Sequence, residues 1–203
     1  MAFSYHSRTV RRDTHHTVAL VSPHVAAGHA VLDVGCGEGY VGAELASTGA
    51  AVSMVDIVDI RRVEGGPFLR FDGTHLPYAD HTFDMVMLNF VLHHVPNDHK
   101  PALLREAARV SRDKVFILED TPRNLVDRWL NWRHGISFRA RIGSHASFGF
   151  LTRREWEWLF RGLGFLLRES RTLGRFDRAP WQPFARSAFV LQVDDARSAR
   201  RWR

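Results

Sequence analysis

Hydrophobic and polar positions alternate along this chain in a pattern that predicts strands and helices in turn. Short apolar runs bounded by turn residues predict strands at 30–34, 51–55, 68–71, 83–88 and 114–118. Apolar residues at helical spacing predict helices at 41–47 and 101–110 between them. An earlier helix is predicted over 14–27, interrupted near Pro23 and capping the domain after a polar start rich in His and Arg. Alternation of this kind builds a parallel sheet with helices on both faces, because parallel neighbours need crossover connections.

The C-terminal half reads differently. A helix carrying Trp129 and Trp132 is predicted over 124–133, followed by an irregular stretch to Phe150. Thr152 opens another helix through Phe160, with Glu155 at capping-box spacing and Gly162 and Gly164 ending it. Strands at 165–171 and 187–193 then pair as an antiparallel edge of the same sheet, joined by a long connection. The expectation is an α/β fold, a doubly wound sheet of seven strands, mostly parallel with an antiparallel C-terminal edge. Its parts would be an N-terminal cap (1–29), a core (30–122), an insert (123–151), a C-terminal helix and strands (152–193) and a basic tail (194–203).

Length and composition narrow the classes. The chain's 203 residues, 45% hydrophobic and 11% aromatic, suit one ordered domain with a sizeable core. No apolar run approaches the roughly 20 residues that cross a bilayer, and the first residues lack the apolar centre of a signal peptide. A soluble, cytoplasmic protein without a membrane role is expected. The single cysteine, Cys36, leaves no internal disulfide and no multi-cysteine zinc site. The formal charge of +6 would suit an anionic partner. Its distribution weakens that reading: Lys100 and Lys114 are the only lysines, and much of the excess arginine lies in the last eight residues.

The chemistry begins at "VLDVGCGEGYVGAELA", residues 31–46. Glycines there permit positive φ and close backbone approach to a ligand at the turn from a strand into a helix N-terminus. Read as Gly37-x-Gly39-x-x-Gly42, the loop fits a dinucleotide fingerprint, with Asp56 near the expected spacing of about 20 residues. That parsing leaves Asp33 inside a strand, where a carboxylate without a partner is costly. Read as Asp33-x-Gly35-x-Gly37-x-Gly39, the acid ends the strand facing the cleft, and Gly42 serves close helix packing.

In this second form the chain resembles the class I methyltransferases that use S-adenosylmethionine, with a Rossmann-like sheet. The resemblance extends through "VSMVD" (52–56), "FDGTHLPYADHTFDMVMLNFVLHHV" (71–95) and "KVFILEDTP" (114–122), and so covers 30–122. It implies S-adenosylmethionine as cofactor and S-adenosylhomocysteine as product. It places Asp33, Gly35, Cys36, Gly37 and Gly39 at the amino-acid and ribose portions, and Asp56 on the two ribose hydroxyls, with Ile57 beside it. Asp72 would hold the adenine amino group, or else cap a turn, and Gly73 would leave room for the ring. Asn89 and Phe90 would lie beside the methionine portion. Asp59 competes with Asp56 for the ribose, but the strand pattern favours Asp56.

Methyl transfer from a sulfonium is an in-line displacement, so the protein mainly positions the acceptor and removes its proton. Candidate bases sit where strands four and five end: His94 first, with Glu119 and Asp120 as acceptor-facing acids, while His93 points elsewhere. His145 could reach in from the irregular segment. No pair of histidines has ligand spacing on a helix, so no metal is expected. The Asn/Asp-Pro-Pro-aromatic sequence of nucleic-acid amino methylation is absent after strand four, and Cys36 is misplaced for cytosine chemistry. The leading expectation is methylation of a small molecule, at oxygen first with nitrogen or carbon open, the acceptor apolar or aromatic to suit Trp129, Trp132, Phe138, Phe148 and Phe150. Methylation of RNA or a ribosomal component through the arginines is the weaker reading, and a cofactor-binding protein without turnover the third. Nothing in the sequence sets the oligomeric state.

Overall fold

The computed structural model describes residues 7–131, 149–173 and 185–193. Its strands are β1 (Ala30–Val34), β2 (Ala51–Asp56), β3 (Phe68–Arg70), β4 (Phe83–Asn89), β5 (Ser111–Asp120), β6 (Leu166–Thr172) and β7 (Arg186–Gln192). They form one seven-stranded sheet in the order β3-β2-β1-β4-β5-β7-β6. β1 pairs in parallel with both β2 and β4, so the strand order reverses there and a crevice opens at their carboxyl ends. β7 inserts antiparallel between β5 and β6, leaving β6 at the edge. The expected fold class is therefore the observed one.

Helices α1 (Arg8–Val21), α2 (Tyr40–Ala46), α3 (Lys100–Val110), α4 (125–131) and α5 (Arg153–Gly162) complete the described elements, with 3-10 turns at Ser22–His24 and Leu92–His94. The sheet separates two cores. On one side α3 and α5 bring Leu103, Leu104, Ala107, Trp156 and Phe160 against Leu32, Val86, Ile117 and Phe189. On the other, Val18 and Val21 of α1 and Leu45 of α2 pack on Val31, Met54, Met85 and Phe116. Six consecutive positions of β7, Arg186 to Leu191, are buried because it has a strand on each side and helices on both faces.

α1 corrects the predicted helix over 14–27 at both ends. It starts at Arg8, where Ser7 Oγ accepts the Val10 amide at 3.2 Å, and gives way to the 3-10 turn containing Pro23. Its first two turns carry Arg8, Arg11 and Arg12 on the exposed side, so the buried stripe of Thr14, Thr17, Val18 and Val21 emerges late in the sequence. β5 runs longer than predicted because Glu119 and Asp120 still pair with Ser187 and Arg186 of β7. At α5 the capping box forms: Thr152 Oγ1 accepts the Glu155 amide at 3.3 Å and Glu155 Oε2 accepts the Thr152 amide at 2.7 Å. The predicted connection over 174–184 and the basic tail lie outside the described residues, as does the insert beyond residue 131 up to Gly149.

Between β2 and β3 the chain passes so close to β2 that a Cβ on Gly66 would stand 2.0 Å from the Val52 carbonyl oxygen. Backbone cannot yield there as a side chain would. Gly66→Ala is expected to destabilise the fold by about 1–3 kcal/mol, measured by urea unfolding. Gly162→Ala, where a Cβ meets nothing within 4 Å, should leave stability equal or slightly raised.

Candidate functional site

The chain turns sharply at the carboxyl end of β1. The amides of Gly35 and Cys36 both donate to the Val55 carbonyl, at 2.8 and 3.2 Å, which seats the loop on β2. Gly35 (φ +70°) has no room for a Cβ, since Val91 Cγ2 would lie 2.5 Å away. Gly37 (φ +53°) is the opposite case: a Cβ there would meet nothing within 4 Å, so the loop presents open backbone. Its amide donates to Asp56 Oδ2 at 2.8 Å. Gly39 (φ +83°) is the N-cap of α2, and Gly42 lies inside that helix with its ideal Cβ 3.1 Å from Asp33 Oδ2 and Met54 Sδ. Close packing is thus what Gly42 provides.

Asp33 occupies the penultimate position of β1 and is 2% exposed. It lies beneath α2 rather than ending the strand in an open cleft, because alternation along β1 turns it to the α2 face. Oδ2 is buried without a hydrogen-bond partner. Burial, then the neighbouring Asp56 charge, push its pKa up to about 8, against the opposing Gly42 amide. The same burial, with Asp33 and Asp56, pushes the Cys36 thiol up, so it carries no thiolate.

Asp56 ends β2, and its Oδ1 accepts the Ile57 amide at 2.7 Å and the Val58 amide at 3.4 Å. Asp59 is committed elsewhere, gripped by Arg61 Nε and Nη2 at 2.9 and 3.0 Å. Ile57 is 54% exposed, and its Cγ2 lies 3.3 Å from the ideal Cβ of Gly73 (φ +86°). The structure therefore brings Gly37, Asp56, Ile57 and Gly73 together on one rim. Asp72 stands beside Gly73 with Oδ1 accepting from the Thr74 amide, the Thr74 hydroxyl and the His75 amide. Those bonds hold its carboxyl down to about 2, which makes it a turn cap with Oδ2 outside the turn's bonds.

Asn89 ends β4 with both amide atoms buried and without partners. Phe90 follows at φ +59°, unusual for a bulky side chain, its amide donating to the Leu118 carbonyl at 2.8 Å. Buried polar groups without partners mark where a ligand would complete the bonding. Asp33 Oδ2 and the Asn89 amide are such groups among the described residues, and Gly37 between them in the fold presents open backbone at the end of β1.

Beyond Phe90, the 3-10 turn Leu92–His94 is tied to β5. Glu119 is fully buried, Oε1 accepting the Leu92 amide at 2.6 Å and Oε2 bonded to His93 Nδ1 at 2.7 Å. Burial alone would lower the His93 imidazole, but the Glu119 charge prevails and holds it above its ordinary value. This corrects the expectation that Glu119 faces an acceptor: both oxygens serve the turn. His93 also stacks on Phe150, ring centres 4.9 Å apart, and its carbonyl accepts the Gly149 amide. Lys100 is buried beneath, donating to the Val95 carbonyl and Asn97 Oδ1 at 2.6 Å each, and burial lowers its amine to about 8. His94 is half-buried at the end of the turn, its ring 4.1 Å from that of His93.

Asp120 is buried too, raised above its ordinary value by burial, with Arg186 opposing. Arg186 Nε donates to its Oδ1 at 3.2 Å, while Nη1 reaches Asp13 of α1 at 2.8 Å and the guanidinium covers the Phe90 ring at 4.2 Å. Arg186 and Asp13 were not legible as site residues, because partners 66 and 173 positions apart leave no local signal. Trp129 of α4 is 51% exposed. His145, Trp132, Phe138 and Phe148 lie outside the described residues.

The family profile described as "Methyltransferase domain" matches residues 6–170. Methyltransferase GfsG of Streptomyces halstedii is 41% identical over 101 residues, 43% of this chain and 36% of that protein. The demethylmenaquinone methyltransferase of Tropheryma whipplei is 30% identical over 183 residues, 82% of this chain and 74% of that one. The chain's match spans little more than a third of the length of several other curated relatives. Among solved structures, Burkholderia thailandensis 1,6-didemethyltoxoflavin-N1-methyltransferase with bound S-adenosylhomocysteine superposes with a TM-score of 0.69. At 20% identity over 93% of this chain and 82% of that one, the likeness is one of fold. The chain belongs to the methyltransferase-domain family, the class I fold that takes S-adenosylmethionine as its cofactor.

Proposed function

We propose that this chain transfers a methyl group from S-adenosylmethionine to an oxygen of a small-molecule acceptor. The observation that carries the reading is the set of unsatisfied buried groups around the open glycine loop: Asp33 Oδ2 and both amide atoms of Asn89. When bound, the cofactor supplies a methyl group on a sulfonium, an electrophile with a good leaving group. Asp33 and Asn89 would hold its amino-acid portion. Asp56, fixed by three backbone amides, would present its remaining lone pairs to the two ribose hydroxyls. Ile57 and Gly73 would border the adenine, with Asp72 Oδ2 at its amino edge.

His94, in the turn that Glu119 fixes, would take the acceptor's proton as a neutral imidazole. Asp120 would act through Arg186. Phe90 and Phe150 offer aromatic surface for an apolar or aromatic acceptor. The names of two relatives, acting on demethylmenaquinone and on 1,6-didemethyltoxoflavin, support a small-molecule class. Among the described residues no helix is long and apolar enough to cross a membrane.

Calorimetry should detect binding of S-adenosylmethionine and S-adenosylhomocysteine and none of NAD; NAD binding alone would overturn the cofactor. Asp56→Ala should weaken S-adenosylhomocysteine by about 10–100-fold, the loss of hydrogen bonds to a charged group. His94→Ala should slow S-adenosylhomocysteine release with a hydroxylated aromatic acceptor by about 100-fold or more, with cofactor affinity nearly unchanged. Equal turnover would remove His94 as the base.

Asp33 gives a pH dependence with a definite sign. An acid whose pKa rises from 3.8 to about 8 on folding is protonated in the free protein at neutral pH, so its contribution to stability is lost as pH climbs through that interval. A cationic ammonium group beside it favours the carboxylate. Cofactor binding at pH 7 should therefore release a proton, and affinity should rise between pH 6 and 8. Calorimetry in buffers of differing ionisation enthalpy measures the proton count, and Asp33→Asn should abolish it. An unchanged count in Asp33→Asn would exclude Asp33 as its source.

A further inference from the structure

One guanidinium joins three elements at the carboxyl edge of the sheet. Arg186, at the start of β7 and 5% exposed, pairs with Asp120 at the end of β5, reaches Asp13 on α1 and lies flat on Phe90. Phe90 directly follows Asn89, whose amide lacks partners, and its backbone holds a left-handed conformation that a bulky residue rarely adopts. Such a conformation persists only when its surroundings impose it. Two contacts do so here: the Leu118 carbonyl on the Phe90 amide and the Arg186 face on the Phe90 ring. The turn at Asn89–Phe90 is therefore a point where a ligand bond and a helix contact bear on the same backbone.

We propose that Arg186 is a positioning residue that couples the cofactor crevice to the N-terminal helix, so that cofactor binding at Asn89 tightens α1 through Phe90, Arg186 and Asp13. This rests on the methyl-donor assignment above. Satisfying the Asn89 amide selects the left-handed setting of Phe90, and that setting keeps its ring under the guanidinium. The guanidinium then holds its second arm on Asp13, in the half of α1 that precedes its buried stripe. His15, bonded to Glu44 of α2, is a second tie two residues on, and it serves the other side of the helix. Coupling is reciprocal, so fastening α1 strengthens the cofactor in turn. Lysine cannot replace arginine in this role, because one ammonium cannot hold two carboxylates through separate nitrogens and lie flat on a ring.

Hydrogen exchange read peptide by peptide tests this, with S-adenosylhomocysteine as the probe and its binding confirmed by calorimetry in each variant. In the unaltered chain the probe should slow exchange in α1 around residues 11–17 about fivefold or more beyond any slowing in α5, which packs on the other face. Arg186→Lys should bind the probe more weakly and lose that extra protection. Asp13→Asn, on a partly exposed helix position, should lose it too with the Arg186–Phe90 contact intact. It keeps the experiment decisive if the Arg186 variant folds poorly. Equal slowing in α1 and α5, or extra α1 protection that survives in Asp13→Asn, would overturn the coupling. Absence of calorimetric binding in the unaltered chain would instead overturn the methyl-donor assignment.

Discussion

The bond from the Gly37 amide to the Asp56 carboxylate joins the carboxyl ends of β1 and β2, and the rest of the crevice depends on it. Without a tie between the loop and the acid, the glycine run would sample the many conformations that its missing side chains allow. With it, and with two amides on the Val55 carbonyl, the loop has one path, and that path leaves open backbone at Gly37 alone. The same carboxylate takes the next two amides of its own chain, so the start of the β2–β3 connection is set by the group that sets the glycine turn. Close packing completes the arrangement: Val91 occupies the space that a Cβ on Gly35 would need, which brings the segment after β4 against the loop from the opposite side.

Buried acids meet three different fates at this edge, and their surroundings explain each. Asp33 is buried beside a like-charged neighbour, with no cation paired to it among the described residues, and its pKa is pushed up to about 8. Glu119 has a histidine and a backbone amide, one for each oxygen, and becomes a fixture that shapes the turn bearing His94. Asp120 shares one guanidinium with Asp13, and burial still raises it. Breaking any of these pairings would strand a charge away from water, which costs far more than the pairing itself contributes. Adjacent acids on β5 thus serve opposite faces of the sheet, because successive side chains of a strand point opposite ways.

The order of elements was legible in the sequence because each strand is a short apolar run between turn residues, and β1 carries the predicted bounds unchanged. The glycine turn and the acid that ties it were legible for a related reason: Asp33, Gly35, Gly37, Gly39 and Asp56 lie within 24 positions, and local geometry bonds the loop to Asp56. Residues whose meaning comes from distant partners were not. Glu119 read as an acceptor-facing acid because nothing near it in the chain announces the turn at Leu92–His94 as its partner. Arg186 fell just outside the predicted strand over 187–193, and Asp13 fell in a stretch taken for a polar beginning. The start of α1 was placed six residues late because a helix with arginines on its outer face shows its period only where the inner face turns apolar.

That failure follows from how the fold is wound. Inserting β7 between β5 and β6 carries the chain from the far edge of the sheet back beside β5, and only this return brings Arg186 next to Asp120. A sheet that ended at β5 would take away the guanidinium that pairs with Asp120 and lies over Phe90. The antiparallel edge therefore does more than close the sheet: it delivers a guanidinium that joins the strand ends to α1. The parallel half of the sheet makes the crevice proposed for the cofactor, and the antiparallel half supplies a group that fastens the N-terminal helix to the strand ends.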